Sequence, residues 1–399
     1  MFKSVRAASI FLLCFCLALM GCGGSTTTSS SNPTAPGNGN NPGGNGGTPP
    51  SNASETLYEA FRSLDNTSSG IRAFNIDLNN GTLSQLPGFP LSGPFEGLSA
   101  APAGNLLFNF HGDNTSPATT AYQINPSSKA LSQSSDNPGI GGFMVFHPNN
   151  KFVYVLDTFR NTLSGFAFDA SGHLSPLAGS PYSTAGARLD TLDLSPNGRF
   201  LYVASNNQNS VVGYSVDPSS GALTVLPGMP MQVRTFTPCD CPRKDPAGIV
   251  LKFSADNQDL FIDDAGDGFL SSYSVNQSSG AITRVITVRD RQGTTNMVVT
   301  PNNKFLYDAG SGSAGGDIRG FVIGPGGALS PMASGFAVPL GPETFVITAI
   351  LLDPSGRFLY QGNNSARLSG YVIDQNTGNL SPNGPIITDN IPISMVIVK

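Results

Sequence analysis

From Leu192 to Pro230 the chain runs through four short apolar stretches, each alternating or rich in β-branched and aromatic residues, and each ended by turn residues. That period-two pattern predicts strands, not helices. Leu192 to Leu194 reads as a first strand. Ser195-Pro196-Asn197-Gly198 reverses the chain, with proline presetting φ and glycine supplying a positive φ, into a second strand at Phe200 to Val203. A polar loop, Ser205 to Ser210, leads to a third strand at Val211 to Val216. Asp217-Pro218-Ser219-Ser220-Gly221 then turns the chain into Leu223 to Leu226. Four antiparallel strands in a unit of this length is the size of one propeller blade.

The rest of the chain repeats the unit. The third strand recurs seven times, beginning at Ala73, Ala121, Gly165, Gly213, Ser272, Gly320 and Gly370. The turn behind it recurs seven times as well, ending at Leu83, Leu131, Leu174, Leu223, Ile282, Leu329 and Leu380. Second strands run from Leu57-Tyr58 to Phe358-Leu359-Tyr360, but Leu57-Tyr58 has no first strand before it. Ser394 to Val398, after the seventh unit, has the first-strand pattern. The fold class expected is therefore all-β, a seven-bladed β-propeller of four-stranded antiparallel blades. Its C-terminal strand should join the N-terminal blade and close the ring, which removes two open sheet edges.

Ahead of the repeats the pattern changes. Lys3 and Arg6 precede an apolar run, Ala7 to Met20, that is short for a membrane span. Residues 1–21 read as a signal peptide ending in Leu19-Met20-Gly21-Cys22. This stretch resembles a bacterial lipobox, which implies cleavage before Cys22 and lipid on that residue. Residues 22–56 are Gly, Ser, Thr, Asn and Pro almost throughout and read as a flexible tether of roughly 30 Å. The propeller then occupies 57–399. The localisation expected is the cell envelope, anchored by lipid in the outer membrane on its periplasmic side or at the cell surface.

Composition narrows the function. Net charge is -5 and only 12% of residues are charged, with Lys and Arg scattered among the acids. That lacks the basic face nucleic-acid binding requires. No cofactor is expected, and a monomer is. Cys239 and Cys241 lie in the one long interval between blades, Thr235 to Ala247, where a local disulfide, free thiols and half a metal site all remain open.

Chemistry in a propeller falls to its loops. In propellers generally, the loops from second to third strand and those from blade to blade share the face around the channel mouth. Here the first class holds Arg62, His111, Asp113, Asp157, Arg160, Asp263, Asp264, Asp267 and Asp308. The second holds Glu96, Arg188, Asp190, Arg243, Lys244, Asp245, Arg289, Asp290, Arg291 and Glu343. A polar mouth of mixed charge follows. Asp263 to Gly268 clusters hard oxygens but departs from the EF-hand spacing, and reads as a solvated turn. Of the three histidines, His147 reads as structural and His173 as surface, which leaves His111 placed for catalysis.

The motifs SPNGRFLYVASN, HPNNKFVYVLD and DPSSGALT resemble the seven-bladed propeller lactonases, the family of bacterial 6-phosphogluconolactonase and the muconate-cyclising enzymes. The resemblance implies lactone hydrolysis, with a base to activate water and cations to stabilise the developing oxyanion. It also implies an Arg-His pair ahead of Phe146-His147-Pro148, where this chain has Gly142 and Phe143. Further family glutamates and an arginine fall on Thr158, Thr191, Ala349 and Asn207. Two functions are consistent with this pattern. One is a binding or scaffold propeller that meets an envelope protein or glycan at its mouth. The alternative is a lactonase with a rearranged carboxylate and arginine set drawn from Asp190, Arg188, Glu343 and His111.

Overall fold

The computed structural model describes residues 55–399 apart from 113–114, 185–188, 206–207, 234–247, 267, 291–292, 313–314, 333–337, 340–345 and 388. Seven antiparallel sheets are formed among the described residues. In the unit read above, the strands are Leu189–Leu194, Phe200–Ser205, Ser210–Val216 and Leu223–Val225, paired in that order, and they make blade 4. Blade 1 takes its first strand from the C-terminus. Ile391–Val398 pairs antiparallel with Glu55–Arg62, from Thr56 opposite Val398 to Arg62 opposite Ile391. The seven first strands neighbour one another in cyclic order, with Ile391–Val398 between Gly97–Ala100 of blade 2 and Ile347–Leu352 of blade 7.

Two turn devices recur because the repeat supplies their side chains. At the first hairpin, the residue before the turn accepts a bond from the opening N–H of the second strand. Phe200 N donates to Ser195 Oγ (2.9 Å), Asp259 N to Ser254 Oγ (2.9 Å), Phe305 N to Thr300 Oγ1 (3.0 Å) and Phe358 N to Asp353 Oδ1 (2.6 Å). At the last hairpin, Asp77, Asn125, Asp169, Asp217, Asn276 and Asp374 accept from backbone N–H groups two or three residues on. Such side chains mimic a backbone turn. Blade 6 has Gly324 there, which cannot do this, and a 3-10 turn at Pro325–Gly327 takes its place.

In five of the blades a tyrosine at the centre of the second strand ties its blade to the next, and blade 5 has Phe261 in this place. Tyr58 donates its hydroxyl to Lys129 O (2.7 Å), Tyr154 to Gly221 O (2.8 Å), Tyr307 to Gly378 O (2.6 Å) and Tyr360 to Gly81 O (2.8 Å), while Tyr202 reaches Gly280 O. Each acceptor lies in the last hairpin of the following blade. Blade 2 has Phe108 in this place, and Asn137 instead donates to Gly172 O (3.1 Å). His147 fills the structural role expected of it. It is buried, one ring nitrogen accepting from Asn149 N (3.1 Å) and the other bonding Gly198 O (3.1 Å).

Candidate functional site

Strand register fixes which ends share the mouth. Gly97 lies opposite Phe110, Leu189 opposite Ser205, Thr294 opposite Gly310 and Ile347 opposite Asn363. Second strands therefore end where first strands begin. Two groups of polar side chains meet on this face.

The first group is built on blade 2, whose second, third and fourth strands are Leu106–His111, Ala118–Ile124 and Leu131–Pro138. His111, half-buried at the end of its strand, bonds Thr120 Oγ1 through Nε2 at 2.9 Å. Thr120, on the next strand, donates to Asp136 Oδ1 (2.9 Å) on the outer strand, and Gln133 Nε2 donates to Asp136 Oδ2 (2.9 Å). A threonine hydroxyl has one proton. Because that proton goes to Asp136, the His111 bond must be Nε2–H donating to Oγ1, which leaves Nδ1 with its lone pair. Burial lowers the pKa of His111 and nearby Asp136 opposes the shift. The imidazole is thus neutral near pH 7, and its open nitrogen can take a proton.

Arg160 stands beside this group through a short chain of contacts. Ala118 pairs with His111, Gly139 N donates to Pro117 O (2.8 Å), and Arg160 Nη1 donates to Gly139 O (3.0 Å). Asp157 holds the arginine's loop, accepting from the backbone N–H of Phe159 (3.0 Å) and Arg160 (2.9 Å). A small cleft is lined here by Gly139, Ile140, Asp157, Arg160, Thr162 and Phe166. Phe143 and Phe159 present exposed rings, and Phe143 packs edge-on against Phe110 at 5.6 Å.

The second group joins blade 5 to blade 6. Asp263 is the last residue but one of the second strand of blade 5 (Asp259–Asp264), Asp290 lies in the connection, and Asp308 lies in the second strand of blade 6 (Phe305–Gly312). Carboxyl oxygens of all three lie within 4.8 Å of one another, and all three residues are buried. Arg319 Nη1 reaches Asp290 Oδ1 at 3.2 Å and its Nε reaches Asp317 at 3.5 Å. Burial, and then the proximity of Asp308 and Asp290, push the pKa of Asp263 well above the carboxylate range. The expected solvated turn is corrected in part: Asp263 and Asp264 are buried strand residues, and Asp267 lies outside the described residues.

Of the residues singled out in the sequence, His111 lies in the blade 2 group, and Asp190 is half-buried as the second residue of the first strand of blade 4. Arg188, Glu343, Cys22, Cys239 and Cys241 lie outside the described residues. Thr120, Asp136, Thr294 and Arg319 each sit within a strand and carry no loop signature in the sequence.

The chain is thus a seven-bladed β-propeller with polar groups gathered at one face. Residues 138–238 match the family described as Lactonase, 7-bladed beta-propeller, in keeping with the resemblance carried by the blade motifs. No curated protein matches the chain significantly. Similar solved structures include a putative 6-phosphogluconolactonase from Bacteroides fragilis, with 16% identity and a TM-score of 0.70 over 88% of this chain and 100% of that one. A periplasmic gluconolactonase from Pseudomonas aeruginosa has 18% identity and a TM-score of 0.69 over 87% of this chain and 99% of that one. A putative 6-phosphogluconolactonase from Bacteroides uniformis has 17% identity and a TM-score of 0.69 over 86% and 99%.

Proposed function

We propose that the protein hydrolyses lactones at the propeller mouth, with His111 as the base that activates water. The observation that carries this reading is the directed chain Asp136, Thr120, His111, which leaves Nδ1 as the proton acceptor. The lactonase family match and the names of the structural relatives support the substrate class. Nδ1 takes a proton from water, and the hydroxide adds to the lactone carbonyl. Arg160 stabilises the oxyanion. The ring C–O bond then breaks, and the departing alkoxide recovers the proton from His111 to give a hydroxy acid. Thr120 and Asp136 are positioning residues that set the tautomer.

Turnover of a lactone panel, including gluconolactone and its 6-phosphate, by the full chain in mild detergent tests this after subtraction of the spontaneous rate. His111→Gln should lower kcat/KM by roughly 100-fold or more, the range of general base catalysis, with an unchanged Tm. Activity should fall on the acid side, at a pH below the usual histidine value of about 6.5, because the base works only when neutral. A wild-type rate equal to background would reject hydrolysis of these lactones. The mouth would then be a binding surface, a use its exposed Phe143 and Phe159 rings also suit.

We also propose that lipid on Cys22 anchors the chain to the envelope membrane, on the strength of Leu19-Met20-Gly21-Cys22 and the polar tether behind it. Expressed in a bacterial host, the full chain should sediment with membranes and Cys22→Ser should not. Equal membrane association of the two would refute the anchor.

A further inference from the structure

The junction of blades 5 and 6 carries groups that the proposed hydrolysis does not use. Asp263 has no exposed surface, and its carboxyl oxygens meet only groups of the cluster itself, Asp290 and the Thr294 hydroxyl. Thr294, which opens the first strand of blade 6, is 3% exposed; its Oγ1 is directed at Asp263 and has no partner outside the cluster. This hydroxyl is independent of the acid cluster and directed into it. A buried polar group without a partner is costly, and a buried charge without one more so.

The backbone holds the cluster in place. Gly268 N donates to Asp264 O (2.8 Å), Asp290 N to Gly268 O (2.9 Å) and Gly293 N to Ala265 O (2.9 Å). The connection is thereby laced to the end of the blade 5 strand, and Asp290 is presented to Asp263. Arg319 stands at the edge of the cluster and divides its guanidinium between Asp290 and Asp317.

We infer that Asp263, Asp290, Asp308 and the Thr294 hydroxyl form a site for one hard divalent cation of the calcium type, which bolts blade 5 to blade 6. Carboxylate and hydroxyl oxygens suit a hard cation. Calcium accepts irregular and bidentate carboxylate ligation, whereas magnesium demands a near-octahedral shell and retains waters for which this buried junction is poorly suited. The cation would act on the blade interface and take no part in lactone chemistry at blade 2.

The full chain, stripped with EDTA and then titrated with calcium chloride, should bind one ion per chain by calorimetry. Its Tm should rise by on the order of 5 °C at a calcium concentration about 100 times Kd. Asp263→Asn should abolish both effects while keeping the β-sheet circular dichroism spectrum. If that variant fails to fold, Thr294→Val should weaken calcium binding and leave the fold in place. Absence of binding and of a Tm rise at millimolar calcium would overturn the proposal, as would a shift that survives in the folded Asp263→Asn or Thr294→Val chain. Lactone turnover is read separately, so failure of the cation site leaves the hydrolysis reading standing.

Discussion

A chain ending at Asn390 will not form a stable propeller. The lost segment, Ile391–Val398, is the innermost strand of blade 1 and neighbours the first strands of blades 2 and 7. Its side chains serve two interfaces. Ile393, Val396 and Val398 pack with the cluster shared by blades 1 and 2, and Met395 and Ile397 with that shared by blades 7 and 1. At about 2 kcal/mol for a fully buried aliphatic side chain and about half that for a partly buried one, these contacts and Ile391 sum to roughly 8 kcal/mol. Two cross-blade bonds go as well, Leu98 N to Ser394 Oγ (3.0 Å) and Thr348 Oγ1 to Pro392 O. The total approaches the whole stability of a typical domain, about 5–15 kcal/mol. Glu55–Arg62 would also be left as an open edge beside the channel. Expected results are loss of the cooperative melt by circular dichroism, binding of a hydrophobic dye and rapid proteolysis. Removal of residues 1–54 serves as the control and should leave the melt unchanged. A truncated chain melting within a few degrees of that control would show that ring closure contributes little.

The architecture was legible because each blade writes the same turn chemistry into the sequence. Asp217 and its counterparts, the Ser195-type hairpins and the central tyrosines all act locally or upon the next copy, so counting copies was enough to count blades. The unmatched second strand at Leu57-Tyr58 even revealed the closure. The site was harder, because its members are brought together by register across blades. Asp263 read as part of a polar loop since Asp264, Gly266, Asp267 and Gly268 follow it. Yet it falls two residues after the central aromatic, Phe261, where the other blades have Ala60, Phe110, Leu156, Ala204, Ala309 and Gly362. That position faces the next blade, so a carboxylate there was bound to be buried. Aligning the repeats by their aromatics would have exposed it. Thr120 and Asp136 left no comparable trace: their partnership with His111 depends on a diagonal across one strand pair and a direct pairing across the next, and residues 113–114 within the intervening loop lie outside the described structure.

The same alignment exposes a buried ion pair at the seam, whose loss carries the other large expected effect. Glu59 follows Tyr58, has no exposed surface, and lies directly opposite Arg72, which is 2% exposed. Arg72 grips it with two bonds, Nε to Oε2 (3.0 Å) and Nη2 to Oε1 (2.8 Å), and is flanked by the rings of Phe61 (5.2 Å) and Phe74 (5.5 Å). Its Nη1 reaches Asp389, just ahead of the closing strand. Burial raises the pKa of Glu59 to about 7, against the pull of Arg72 and with Asp389 adding to the rise. A carboxyl raised in the folded state contributes stability that is fully present below its unfolded pKa of about 4.5 and is lost as pH climbs through about 7. Arg72→Met keeps much of the packing between the two rings but removes the opposing pull, so the pKa of Glu59 rises further and the loss extends to higher pH. At pH 8 the variant should be destabilised by about 3–5 kcal/mol, the cost of breaking a buried pair from one side. The gap to wild type should narrow towards pH 5, where Glu59 is neutral in both chains. Arg72→Met combined with Glu59→Gln should recover most of the loss at pH 8. Denaturant melts of the three chains from pH 5 to 9 test this directly. A gap that stays constant across that range would mean Arg72 acts through packing alone, with the charge on Glu59 irrelevant to the seam.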